Sequence, residues 1–266
     1  MGTALLLGFA VTSLMPSSAS AKDDISEFIK KAKEAYEKYQ AEVKDETIVQ
    51  EMKTASPTGD ITTYNTVYLM GDKMRLESRM EMPSRSEDPD SKRVMESVVV
   101  YDGADFWMAT PATGKRKLSQ HEVQQYQTQR RLWDMISDEA EMTGSETLGE
   151  HDCYVVQLPA EEDEAGVKLW MDKNSRVIVA VEEGSTRGNE SRLVNSDFRE
   201  VEAGWRIPYK TQVYRGDRLL STLVVKSREV NSDLAESLFD PEALSVAGRR
   251  TEDVREMMQG QGGGGD

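Results

Sequence analysis

Residues 98–118 read VVVYDGADFWMATPATGKRKL, and this stretch is the strongest indication of the fold. Asp102-Gly103 separates two runs of β-forming residues, which is typical of a tight hairpin with a two-residue turn. Successive residues are apolar over 98–101 and again over 106–108, whereas a strand with one solvated face alternates apolar and polar residues. The hairpin therefore needs a cover on both of its faces.

Most of the remaining chain also has strand patterns. Between residues 73 and 82, methionine and leucine alternate with charged side chains, which is the period of a strand with one buried face. Further runs follow from residue 153 onward, separated by short turns rich in Gly, Asn and Asp. Because such short links join antiparallel neighbours, the sequence predicts a mainly β fold with some helix, built on a single curled antiparallel sheet of about ten strands.

Two segments have the composition of helices. Apolar residues between 24 and 39 recur on one helical face, and residues 120–141 contain neither Gly nor Pro. Both helices are expected to cover the concave side of the sheet. Two helices do not fill a sheet of this size, so the pattern predicts an apolar cavity with room for a ligand.

The two ends of the chain differ in composition from the part between them. Residues 1–21 contain no charged side chain and end in Ala-Ser-Ala, which predicts an export signal cleaved after Ala21 and a periplasmic protein. Its apolar run is shorter than the roughly 20 residues of a membrane-spanning helix. The basic residues that usually begin an export signal are missing, and a misplaced start codon is one explanation for this. Residues 246–266 are expected to be disordered, so 22–245 form one domain.

Charge and residue content exclude several classes of function. The net charge is −15, from 33 basic and 48 acidic residues, which argues against nucleic acid and anionic membrane surfaces as main partners. Two histidines are too few for a His-rich metal site, and neither a phosphate-binding loop nor a nucleophile elbow is present. His151-Asp152-Cys153 is better explained by a turn that enters a strand with a buried thiol. We therefore expect no enzyme activity, no metal and no cofactor.

Several longer motifs occur in the order seen in a known family. They are YDGADFWMATP (101–111), VKLWMDKNSRVIVAVE (167–182), SDFREVEAGWRIPYKTQVY (196–214) and LFDPEAL (238–244). This ordered set resembles the outer membrane lipoprotein-sorting proteins, the LolA/LolB-like periplasmic lipoprotein carriers. The resemblance departs from the family at Gly71-Asp72-Lys73, where the best-studied carriers have an Arg-Pro turn whose arginine helps to latch a lid, so the latch is not carried over.

The resemblance implies an incomplete β-barrel of about eleven strands, with helices that close an apolar cavity for acyl chains. It implies a monomeric carrier without catalysis or cofactor, which takes a lipoprotein acyl chain or another lipid toward the outer membrane. A membrane-bound protein would serve as donor or acceptor. The same fold also occurs in envelope-stress regulators that bind a partner's periplasmic segment, so a sensor is the alternative function. A structural protein with a fully packed sheet is a third possibility.

Strand parity and methionine content select candidate residues for the cavity. The chain has 14 methionines, whose flexible thioether side chains adapt to ligands of irregular shape. Trp170 is expected on the outer face, whereas Trp107 could point either way because its strand is apolar on both faces. The predicted cavity lining is Met74, Leu76, Trp107, Leu169 and Met171, and the predicted cover is Phe28 and Trp133.

Overall fold

A computed structural model describes residues 18–84, 92–127, 136, 140–159, 166–184 and 190–244. The predicted signal up to residue 17, the tail from residue 246 and Trp133 lie outside these residues. Within the described part, the regular structure consists of two α-helices, three short 3₁₀ helices (Glu202–Gly204, Glu236–Phe239 and Pro241–Ala243) and one open, curled antiparallel sheet of 13 strands. The expected fold class is confirmed, with more strands than the sequence patterns indicated.

The regular elements follow one another in a nearly unbroken series of strands. The helices are α1 (Ser18–Glu42) and α2 (Gln120–Gln127). The first six strands are β1 (Asp45–Thr54), β2 (Ile61–Met70), β3 (Lys73–Pro83), β4 (Lys92–Tyr101), β5 (Phe106–Thr110) and β6 (Gly114–Lys117). The others are β7 (Glu141–Leu148), β8 (His151–Gln157), β9 (Val167–Asp172), β10 (Ile178–Glu183), β11 (Ser191–Glu200), β12 (Arg206–Arg215) and β13 (Arg218–Val230).

The strand order is that of two meanders joined in the middle of the sheet. The sequence of neighbours is β6-β5-β4-β3-β2-β1-β13-β12-β11-β10-β9-β8-β7. Strands that follow one another in the chain pair as antiparallel neighbours, through links of two to nine residues. The exception is the connection from β6 to β7, since these two strands form the opposite edges. Pairing of β1 with β13 therefore holds the two halves together.

The hairpin between β4 and β5 has a longer turn than its Asp-Gly dipeptide predicts. β4 ends at Tyr101 and β5 begins at Phe106, so four residues form the loop and the expected two-residue turn is wrong. The Asp102 carboxylate accepts hydrogen bonds from the backbone N–H groups of Ala104 and Asp105, both at 2.8 Å. The Asp102 side chain thus pairs the backbone N–H groups inside the loop, and this stabilises four residues where the dipeptide predicted two.

Both helices cover the same face of the sheet, which we call the inner face. Antiparallel partners that lie directly opposite each other share a face, so the register assigns every side chain to one side. Ile25 and Ile29 of α1 share a buried cluster with Leu169 of β9. Val123 of α2 packs against the cluster of Val99 on β4. The expected cover of the concave side by helices is confirmed.

The C-terminal segment, residues 234–244, covers the outer face of the hairpin. Phe239 is buried there in a cluster with Val98 and Val100 of β4. Arg75 on β3 donates a hydrogen bond to the Leu238 carbonyl at 3.1 Å and so fixes the segment. The apolar outer face of the hairpin is thus covered by a segment that is distant in sequence.

A buried charge cluster anchors the C-terminal end of α1. The Arg228 side chain on β13 is only 4 % exposed and pairs with Glu46 and, at 2.7 Å, with Glu202. It also donates to the Tyr39 hydroxyl of α1 at 3.0 Å. Burial raises the pKa of Tyr39 to about 12. Burial likewise raises the pKa of Glu46, although the neighbouring Arg228 charge works against this.

We expect Phe239→Ala to lower the free energy of unfolding by about 3–4 kcal/mol, because it leaves a cavity under the C-terminal segment. Since Trp107 packs against the same cluster, its fluorescence should shift to the red. Urea denaturation and emission spectra measure both effects. Leu219→Ala, at an exposed position of β13, is the control and should change stability by less than about 0.5 kcal/mol. An equal loss in both variants would contradict this account of the segment.

Arg228→Met should lower the free energy of unfolding at pH 7 by about 3 kcal/mol, because it leaves the buried Glu46 carboxylate without its counter-charge. The pKa of Glu46, already raised, should rise further. Protonation of Glu46 then removes the buried charge, so the deficit should shrink as the pH falls. Arg228→Met combined with Glu46→Gln should recover much of the stability at pH 7. A deficit that does not depend on pH and is not rescued would show that the charge cluster is not the cause.

Candidate functional site

The central part of the inner face is the candidate site. Here the apolar side chains are only partly buried, unlike those beneath α1. Val67 on β2 lies opposite both Leu76 on β3 and Ile48 on β1, and Met52 on β1 lies opposite Leu223 on β13. We call this surface the inner trough and define it by the side chains of Ile48, Met52, Val67, Leu69, Met80, Leu223 and Val225.

A polar row crosses the inner trough. Gln50, Asn65 and Ser78 lie side by side on β1, β2 and β3. The Ser78 hydroxyl donates to Asn65 Oδ1 at 2.7 Å. Thr63, two residues before Asn65 on the same face, is 4 % exposed. Sequence reasoning missed this row. Strand parity could have indicated it, because Thr63 and Asn65 are separated from Val67 and Leu69 by even numbers of residues and therefore share their face.

Four of the predicted lining residues lie on the inner face, in two places. Met74 and Leu76 pack beside the cluster of Val99 at the end of the trough near α2. Leu169 and Met171 are completely buried beneath α1, so a ligand reaches them only if α1 moves. Trp170 lies on the outer face, as its parity predicts. The ligand-binding role of the four residues remains a prediction.

Trp107 lies on the opposite face from the other predicted lining residues. It is paired with Val100 on β4 and packs against the cluster that contains Phe239. The expectation that Trp107 points inward is therefore corrected. The strand is apolar on both faces, so its parity does not say which face Trp107 takes. Trp107 packs outward because the C-terminal segment provides an apolar cover there.

The predicted cover residues have different outcomes. Phe28 lies on α1 and meets Tyr154 of β8 edge-on, with ring centroids 5.0 Å apart. It thus belongs to the helix that covers the inner face. Trp133 lies outside the described residues. Of the predicted helix 120–141, the structure describes α2, which is its first eight residues, and the buried residues Ile136 and Ala140. Neither Ile136 nor Ala140 is helical and Glu141 begins β7, so the expected extension of the helix to residue 141 is wrong.

A separate cleft of about 750 Å³ opens on the outer face. It lies over β10, β11 and β12, and Val179, Val194 and Phe198 line its apolar part. Arg192 borders it, with its guanidinium carbon 4.8 Å from the centroid of the Trp170 ring. Charged side chains interrupt the apolar lining, so the cleft is less suited to a hydrocarbon chain than the inner trough. Sequence reasoning missed it because its walls come from separate strands.

Reactive groups in the described residues are engaged in structural contacts. Burial raises the pKa of the Cys153 thiol to about 11, which keeps the sulfur protonated at neutral pH. His151 Nδ1 lies 3.1 Å from an Asp172 carboxylate oxygen. Burial acts to raise the pKa of Asp172, but hydrogen bonds from Ser175 and His151 outweigh it and hold the pKa low. Within the described ranges, no group of three acidic, His or Cys side chains could hold a metal ion.

No helix among the described residues combines the length and apolar character that crossing a bilayer requires.

Comparison with known proteins shows similarity in structure but not in sequence. No family model matches the chain, and no curated protein matches it. A DUF1329 family protein from Desulfovibrio piger is similar with a TM-score of 0.57 and 14% identity, over 85% of this chain and 99% of that one.

Two further solved structures point the same way. A domain from Vibrio parahaemolyticus, assigned as an outer membrane lipoprotein-sorting protein, has a TM-score of 0.54 and 14% identity, over 80% of this chain and 98% of its own. A LolA superfamily protein from Nitrosomonas europaea has a TM-score of 0.51 and 17% identity, over 80% of this chain and 99% of its own. At these identities the similarity establishes the fold alone. The resemblance in the sequence motifs is thus confirmed at the level of the fold: this chain has the curled open sheet of the LolA-like lipoprotein-sorting proteins.

Proposed function

We propose that this protein is a monomeric periplasmic carrier that binds a lipoprotein acyl chain or a related lipid in the inner trough. The supporting observation is that β1, β2, β3 and β13 contribute neighbouring apolar side chains that are only partly buried. Contiguous exposed apolar surface of this kind marks interaction sites in soluble proteins. The export signal predicted for residues 1–21 supports the periplasmic location.

Burial of hydrocarbon supplies the binding free energy. Each CH₂ group removed from water contributes about 0.8 kcal/mol, before the cost of ordering the chain. Met52 and Met80 lie on either side of Thr63 in the trough, and their thioether side chains can follow an irregular ligand. No covalent step is needed, so the function is binding and transfer.

Movement of the helical cover provides a route for loading and release. The C-terminal end of α1 is held by the Arg228 charge cluster, whereas its N-terminal half is held to the sheet by apolar contacts of Ile25, Phe28 and Ile29. Displacing that half would uncover Leu169 and Met171 and extend the trough. A membrane-bound acceptor with higher affinity for the lipid would then draw it away.

The sharpest test compares two neighbouring positions on β13. Leu223 lies on the inner face opposite Met52, and Val224 lies on the outer face opposite Glu51. We expect Leu223→Asp to weaken binding of a fluorescent fatty acid by about tenfold or more, because it places a charge where the hydrocarbon would lie. Val224→Asp is the matched control and should bind like the unmodified protein. Fluorescence titration measures both affinities.

Two results would overturn the proposal. One is equal binding by the Leu223→Asp and Val224→Asp variants, since the lipid would then not occupy the inner trough. The other is failure of the unmodified protein to take up the fluorescent fatty acid, together with only the ligand-free mass in native mass spectrometry of protein isolated from the cell envelope. Lipid extraction from that preparation, by contrast, should identify the bound acyl compound.

A further inference from the structure

The inner trough contains a buried hydroxyl group that lacks a hydrogen-bond partner. Thr63 is 4 % exposed, and within the described part of the structure its Oγ1 has no donor or acceptor in reach. Buried polar groups are nearly always paired, because leaving one unpaired costs free energy. An unpaired hydroxyl in the wall of a ligand trough therefore indicates a position where the ligand supplies the partner.

Two amide groups extend this polar position along the row. Because the Ser78 hydroxyl donates to Asn65 Oδ1, this hydrogen bond leaves the hydrogen atoms of the Asn65 amide nitrogen still to donate. Gln50 lies directly opposite Asn65 on β1. Among the described residues, neither of these two amide nitrogens has an acceptor. Thr63, Asn65 and Gln50 thus offer uncharged donors within one small area of the trough.

Apolar surface flanks these donors on both sides along the strands. Ile48, Val67 and Leu76 form one row toward α2, two residues along each strand from the polar row. Met52 and Met80 lie beside Thr63 in the other direction, and Leu223 continues that row. A molecule that lies along the trough would thus contact apolar side chains first, then the uncharged donors, and then apolar side chains again.

We propose that Thr63, Asn65 and Gln50 recognise the ester or amide carbonyl groups of an acylated lipid, so that the trough prefers acyl lipids to ether-linked or unsubstituted hydrocarbons. A carbonyl oxygen is an uncharged acceptor, which matches three uncharged donors, whereas a free carboxylate or phosphate would call for a cationic partner. Lipoproteins and glycerides share this carbonyl chemistry. The inference rests on the proposed function and specifies its ligand class.

A pair of lipids that differ only in the carbonyl groups tests the inference. Dipalmitoylglycerol and its dihexadecyl ether analogue would each displace a bound fluorescent fatty acid from the full-length protein. We expect the ester to compete roughly tenfold more strongly than the ether, the effect of one to two buried hydrogen bonds. Thr63→Val should reduce that preference severalfold while leaving ether binding unchanged. Thr62→Val, the same substitution at the adjacent outer-face position, should retain the preference.

The outcomes separate the two proposals. Equal competition by ester and ether, or equal loss of both in Thr63→Val, would overturn carbonyl recognition while the carrier function stands. Failure of every lipid to displace the probe would overturn the carrier function itself. If Thr63→Val does not fold, Asn65→Leu replaces it with the same expected loss of preference. A triacylated peptide that outcompetes dipalmitoylglycerol would support lipoproteins as the source of the carbonyl groups, and the reverse order would support glycerides.

Discussion

The structure depends on covering the apolar parts of both faces of one large sheet, since charged side chains such as Glu77 and Arg79 on β3 leave other parts of the outer face in water. Antiparallel pairing keeps opposed residues on a common face across the 13 described strands, with register shifts in four of the strand pairs, and both faces carry apolar clusters. α1 and α2 cover parts of the inner face, and residues 234–244 cover the outer face of the hairpin. Apolar surface that these segments leave only partly buried is available for another molecule.

The incomplete cover of the inner face connects stability with function. Beneath α1 the packing is complete, with Leu169 and Met171 fully buried, whereas the inner trough between the two helices stays partly exposed. The Arg228 cluster fixes the C-terminal end of α1, because the buried guanidinium contacts Tyr39 of the helix as well as Glu46 and Glu202. Under the proposed carrier function, a cover fixed at one end and held by apolar contacts at the other would allow a hydrocarbon to be loaded and released.

The sequence predicted the features that depend on local pattern. The alternation along β3 and β9 correctly placed Leu76 and Leu169 on the inner face and Trp170 on the outer face, because strand parity needs no tertiary information. Parity was uninformative for Trp107, since its neighbours are apolar on both sides. The Asp-Gly dipeptide also misled, because the Asp102 carboxylate closes a four-residue loop and removes the need for a tighter turn.

By itself, the sequence determined most of the strands, the helical segment that became α1, and the excess of apolar strand faces over the helices available to cover them. Only the tertiary structure decided which cover each face received. Residues 234–244 are distant in sequence from the hairpin that they bury, and the outer cleft draws its walls from separate strands. It also decided that the Thr63 hydroxyl is buried without a partner in the described structure, since hydrogen bonding of a buried group depends on neighbours from other strands that no local pattern specifies.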